Sequence, residues 1–151
     1  MPGAHERFES FFERAEPRLR RALVAAYGID AGREATGDAL SYAWEHWEKV
    51  GAMANPLGYL YRVGQSSTRR RKTPIVFARP DMHEPWIEPK LAVALENLSE
   101  RQRLAVILVH GYGWRPAEVA DVTGLRATTV QTHAARGLAR LRDALEASSH
   151  A

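Results

Sequence analysis

Two runs of side chains in this sequence are suited to recognition. The first holds Arg126, Thr128, Thr129, Gln131, Thr132, His133 and Arg136, short polar groups and guanidinium forks that can donate to base edges or phosphates. The second is Arg69, Arg70, Arg71 and Lys72, four cations in succession before Pro74. A helix dipole favours cations at its carboxyl end, but it does not need four. Phosphate contact, in which each neutralised charge releases counterions, accounts for them better.

Catalytic chemistry has no comparable signal. His5, His46, His83, His110, His133 and His150 show no ligand spacing, and cysteine is absent, which excludes disulfides and thiolate-bound metals. No glycine-rich phosphate loop, activated nucleophile or paired carboxylates stand out. The sequence therefore predicts neither enzyme activity, nor a metal, nor a cofactor.

The elements that position these residues are helical. Apolar residues recur every three or four positions at Phe8, Phe11, Phe12, Ala15, Leu19, Leu23, Ala26 and Tyr27, and Gly28 ends that helix. A second helix from about Arg33 carries Ala39, Leu40, Ala43, Trp44, Trp47 and Val50 towards a core, and Gly51 stops it. Asn55 before Pro56 reads as an N-cap followed by proline at the first helical position. The third helix that starts there ends in the cationic run. Residues 73–89 hold four prolines without helical or alternating pattern and read as an extended linker, in which Trp86 pins the segment either to a domain or to a partner.

Beyond the linker, Leu91, Ala94, Leu95 and Leu98 suggest a short helix, and Ser99 with Gln102 is a capping-box signature for the next. Pro116 opens another short helix, Gly124 breaks it, and a longer one spans Thr128 to Leu145. Short helix, glycine turn and long helix form a helix-turn-helix pattern, with Ala120 inside the first helix, Gly124 at the turn and Val130 packing back. The same residues would also suit a C-cap and a solvated face in an ordinary bundle.

The charge is distributed in the same sense. Residues 1–72 hold 12 basic and 9 acidic groups, 73–98 hold 2 and 4, and 99–151 hold 7 and 5. Two basic domains flank an acidic connector, which suits nucleic acid. No apolar run approaches the roughly 20 residues needed to span a bilayer, and the charged amino terminus has no secretory h-region, so a cytoplasmic protein without membrane contact is expected.

The stretch LSERQRLAVILVHGYGWRPAEVADVTGLRATTVQTHAARGLARLRDAL, residues 98–145, resembles region four of extracytoplasmic-function sigma factors. The first seventy residues resemble region two of the same family. The resemblance implies an all-α protein of two small helical domains: a region-two bundle at 6–72 and a region-four helix-turn-helix domain at 90–147, joined by the Pro-rich linker 73–89. It implies partners in RNA polymerase core, promoter DNA and an anti-sigma protein. In the family an acidic motif of the second helix docks on polymerase, and Glu34 and Asp38, one turn apart, coincide with it. Tyr59 keeps an aromatic position and Arg62 a basic, DNA-facing one of the third helix. Ser66 and Arg70 stand where the family has Asn and Asp, on the surface that handles the minus-ten element. The loop 51–55 lies where the family captures an extruded base. Arg126 replaces a capping Ser ahead of the long helix. The resemblance thus points to a sigma factor that directs transcription initiation. The departures at Ser66 and Arg70 also suit a sigma-like adaptor that does not open promoters, and the helix-turn-helix alone would suit a stand-alone regulator.

Overall fold

The structure is a computed structural model that describes residues 1–77 and 88–149. Trp86, most of the proline-rich segment, His83 and His150 lie outside the described residues. Every regular element among them is helical. The amino-terminal bundle holds α1 (Ala4–Tyr27), α2 (Ile29–Glu45), the single turn α3 (Trp47–Val50) and α4 (Pro56–Arg71). The carboxy-terminal bundle holds α5 (Pro89–Glu96), α6 (Glu100–Ala105) continuing into a π-helical segment (Val106–Gly111), α7 (Pro116–Thr123) and α8 (Ala127–Ser149).

The boundaries follow local chemistry. Gly28 separates α1 from α2 at φ 91°, and a Cβ there would come within 2.6 Å of the Val76 amide nitrogen. Both the positive φ and the contact require glycine. At the first α1–α2 crossing, Gly32 lies against the backbone of Val24, so the two helices meet with no side chain between them. Asn55 caps α4 by accepting from the Gly58 amide at 3.1 Å, with Pro56 at the first position. Ser99 and Gln102 form the expected reciprocal box: Gln102 N–H donates to Ser99 Oγ at 3.2 Å, and Ser99 N–H to Gln102 Oε1 at 3.4 Å. Gly124 ends α7 in the left-handed region at φ 78°.

One apolar cluster runs through both bundles. Phe11, Leu19, Leu23, Ala26, Leu60 and Tyr61 from the first join Leu104, Leu108, Trp114, Val119, Val122 and Val130 from the second. A smaller cluster gathers Phe77, Ala92, Leu95, Leu98, Val106 and Leu141. The described beginning of the connector is thus held on both sides: Val76 O accepts from Ile29 N–H at 2.9 Å, while the Phe77 ring is 1% exposed among carboxy-terminal side chains.

The aromatic patch expected in the core divides. Phe11 is buried and Trp47 packs partly against the core, but Phe12 is 41% exposed and Trp44 51%. Helical phase places Phe8, Phe12 and Trp44 on the apolar side of their helices, yet among the described residues no third helix covers the α1–α2 groove there. Trp44 instead meets the rings of Phe8 and His5 edge-on, with centroids 4.9 and 5.6 Å apart.

Candidate nucleic-acid interface

The long helix α8 turns Val130, Ala134, Gly137 and Leu141 inward, a stripe at helical spacing that seats it against α6, α7 and the π-helical segment. Gly137 allows close approach, since a Cβ there would meet Val106 Cγ2 at 2.6 Å. With that stripe inward, Thr128, Gln131, Thr132 and Arg136 share the exposed face of the first turns. Arg126 stands exposed just before the helix. Thr132 Oγ1 donates to Thr128 O at 3.1 Å, which turns its hydroxyl along the helix.

Thr129 and His133 lie at the edge of this face and are half-buried. His133 Nδ1 is buried with no hydrogen-bond partner among the described residues. Burial, with Arg101 and Arg136 nearby, holds the imidazole below its ordinary pKa and favours the neutral ring. Ahead of α8, Glu118 Oε1 accepts from both N–H and Nε of Arg115 at 3.1 Å, closing the start of α7. Those bonds hold the Glu118 carboxyl below its usual range.

The second cationic run ends α4. Arg62, Arg69, Arg70, Arg71 and Lys72 are all exposed, and Lys72 leaves the helix at φ 54°. Arg71 differs from its neighbours. Its guanidinium bridges Glu34 at 3.0 Å and Asp38 at 3.0 Å, and the Ser67 hydroxyl also donates to Asp38. The α2 acids project together, as their spacing predicts, but towards α4, and their hydrogen bonding and charge raise the Arg71 pKa. Arg71 is therefore less available to a phosphate than Arg69 and Arg70, which make no ion pair with another described residue.

The loop 51–55 falls in the chain between Lys49 and Tyr59, two members of a polar aromatic cluster. Tyr42 and Tyr59 hydroxyls are 3.1 Å apart, and Lys49 Nζ lies 3.4 Å from each and 5.3 Å from the Tyr59 ring. The Tyr42 bond, then Lys49, lowers the Tyr59 pKa. Such a set offers a ring face and a cation to an unpaired base.

Three groups escaped the sequence reading. Arg103 is 2% exposed and donates through Nε and Nη2 to Ala26 O, at 3.0 and 2.6 Å, and through Nη1 to Leu98 O at 2.8 Å. Burial lowers its pKa. Asn55, already the cap of α4, also donates through Nδ2 to Asp121 O of α7 at 2.8 Å. Phe77 is the third. Arg103 lies within the quoted stretch 98–145 and Asn55 was legible as a cap, but neither the buried carbonyl nor the contact to α7 had a sequence signal.

Residues 90–141 match the family described as Sigma-70, region 4. Over those residues the chain is similar to that family's region 4. No curated protein matches the chain as a relative. Among solved structures, the sigma factor RpoE of Bartonella quintana, crystallised with the anti-sigma factor NepR, is similar in fold, with a TM-score of 0.66 at 22% identity over 92% of this chain and 96% of that one. The matched residues contain α7, the Gly124 turn and α8 as far as residue 141, so Thr128, Gln131, Thr132 and Arg136 lie on the outward face of the helix that follows the turn. The likeness in fold to that structure takes in the amino-terminal helices as well. No helix among the described residues is long and apolar enough to cross a membrane.

Proposed function

We propose that this chain is an extracytoplasmic-function type sigma factor, a non-catalytic cytoplasmic subunit that brings RNA polymerase core to promoters. The observation that carries the reading is the outward face of α8 within a region-4 helix-turn-helix. Residues 90–147 act as the domain that reads the minus-thirty-five element, with Gln131 and Arg136 on base edges, Thr128, Thr129, Thr132 and His133 around them, and Arg126 on a phosphate. Residues 6–72 act as the domain that meets core and the minus-ten element. There Arg62, Arg69, Arg70 and Lys72 take backbone phosphates, with Arg71 tied to α2, and the Tyr42–Tyr59–Lys49 cluster faces unpaired bases. Residues 73–89 join the two.

Polymerase core takes Glu34 and Asp38 together with the adjoining α1–α2 groove of Phe8, Phe12, Leu40 and Trp44. Glu9, Glu13, Glu16 and Glu45 rim that groove, which suits an amphipathic basic segment. By likeness to RpoE, an anti-sigma protein is a further partner. Transcription with purified core tests the whole. Promoter-dependent transcripts support initiation. Core binding without transcripts supports the adaptor reading that Ser66 and Arg70 leave open, and operator binding without affinity for core supports a stand-alone regulator.

A further inference from the structure

A pocket of about 380 Å³ opens between α1, Trp47 and the residues that bound the loop 51–55. Arg7, Ser10 and Arg14 line it from one face of α1, since their spacing of three and four residues is that of a helical stripe. The two arginines stand two turns apart, about 10.5 Å along the axis at 1.5 Å per residue. Both are exposed and make no ion pair with another described residue. Glu6 also lines the pocket, so its charged groups are two guanidiniums and one carboxylate, a net positive set.

The floor of the pocket is aromatic. Trp47 packs against Phe11 and Phe8, with ring centroids 5.3 and 5.4 Å away, and keeps part of its indole exposed. Gly51 leaves it so. Its φ of −64° suits any residue, but a Cβ there would lie 3.0 Å from Trp47 Cε2 and Cζ2 and would cover the ring. Pockets of about 300 Å³ and more hold small molecules, so this one has room for a nucleotide.

We propose that this pocket holds one nucleotide of an unpaired DNA strand, its base on the Trp47 indole and its flanking phosphates on Arg7 and Arg14. A base within a duplex has both faces stacked on its neighbours, so only an unpaired one can turn a face to a recessed ring. A free nucleoside monophosphate carries a single phosphate. A nucleotide within a strand has one on either side, which suits guanidiniums on either side of Ser10. The pocket shares no residue with the Tyr42–Tyr59–Lys49 cluster. Gly51 and Pro56, which bound the loop assigned to melted DNA, set it alongside that loop. The identity of the strand rests on the sigma-factor reading of the chain.

Fluorescence anisotropy of a labelled single-stranded oligonucleotide, titrated with the full-length chain across a salt series, reads the site. Removing both arginines, Arg7→Ala with Arg14→Ala, should weaken binding at least about tenfold and lower the salt slope by about 1.4 units, at about 0.7 per phosphate on a single strand. Gly51→Ala should weaken binding about fivefold or more on an unchanged slope, because stacking is lost while the cations remain. Wild-type affinity and slope in both variants, or no binding by the wild-type chain at low salt, overturns the inference. Displacement of the oligonucleotide by an equal concentration of a free nucleoside monophosphate assigns the pocket to a small ligand and overturns it as well. Loss of affinity in the variants, with no promoter-dependent transcripts from the wild-type chain and core, supports the pocket and removes the sigma reading alone.

Discussion

Arg103→Met is the sharpest test of how the two bundles are joined. Nothing basic lies in the last turn of α1, so its terminal carbonyls depend on partners from elsewhere. Arg103 supplies one from 77 positions away, placing a cation at the negative end of the α1 dipole through two N–H donors on Ala26 O. Its remaining nitrogen holds Leu98 O, just past the end of α5. Methionine keeps the length and removes the donors. Each abandoned buried carbonyl costs about 1 to 3 kcal/mol, partly offset because no guanidinium need be desolvated, so a net loss of about 2 to 4 kcal/mol is expected. Urea unfolding of the full chain, at a slope of about 1 to 3 kcal/mol per molar, should then show a midpoint lowered by about 1 to 2 M. The single transition should also broaden or split as the bundles uncouple. A midpoint within about 0.3 M of wild type, on an unchanged slope, would refute the account, since at that slope it amounts to less than about 1 kcal/mol, short of the 2 expected.

Arg126→Ala should weaken binding to all DNA sequences alike and lower the salt slope by about one unit, whereas Gln131→Ala or Arg136→Ala should change which minus-thirty-five bases are selected. Selection profiles identical to wild type for both would place the wrong face of α8 in the groove. Replacing Glu34 and Asp38 together by Lys should abolish co-purification with polymerase core. Because these acids pair with Arg71 in half-exposed geometry, the double variant should lose no more than about 1 kcal/mol in thermal unfolding, and retained co-purification would remove the assignment. His133 titrates below its ordinary value of 6.5 in the folded state, so the unfolded chain takes the proton first. Its stabilising contribution is present above pH 6.5 and declines as the pH falls from there through the folded value. His133→Gln should flatten that part of the stability profile measured by denaturation, and an unaltered profile would show that the ring is not the group responsible.

Local physics accounts for what the sequence determined by itself. Asn55 before Pro56, Ser99 with Gln102, and glycines at 28 and 124 mark helix ends because caps and positive φ depend on neighbours within three or four residues. The same range sets the phase of α8, so the exposure of Thr128, Gln131, Thr132 and Arg136 was legible before any packing was known, although Thr129 and His133 proved half-buried. Phase does not reveal which of two adjacent apolar stripes a neighbour will cover, and for that reason Trp47 packs inward while Trp44, three positions earlier, stands exposed. Nor does it reveal where a long polar side chain ends. Arg71 faces two acids more than 30 positions away, and Arg103 is buried on a carbonyl of a different bundle. Phe77, read as part of an extended connector because prolines surround it, found a seat that exists only once α5, α8 and the π-helical segment have assembled. Contacts between distant parts of the chain depend on how the bundles dock, and that arrangement is a property of the tertiary structure alone.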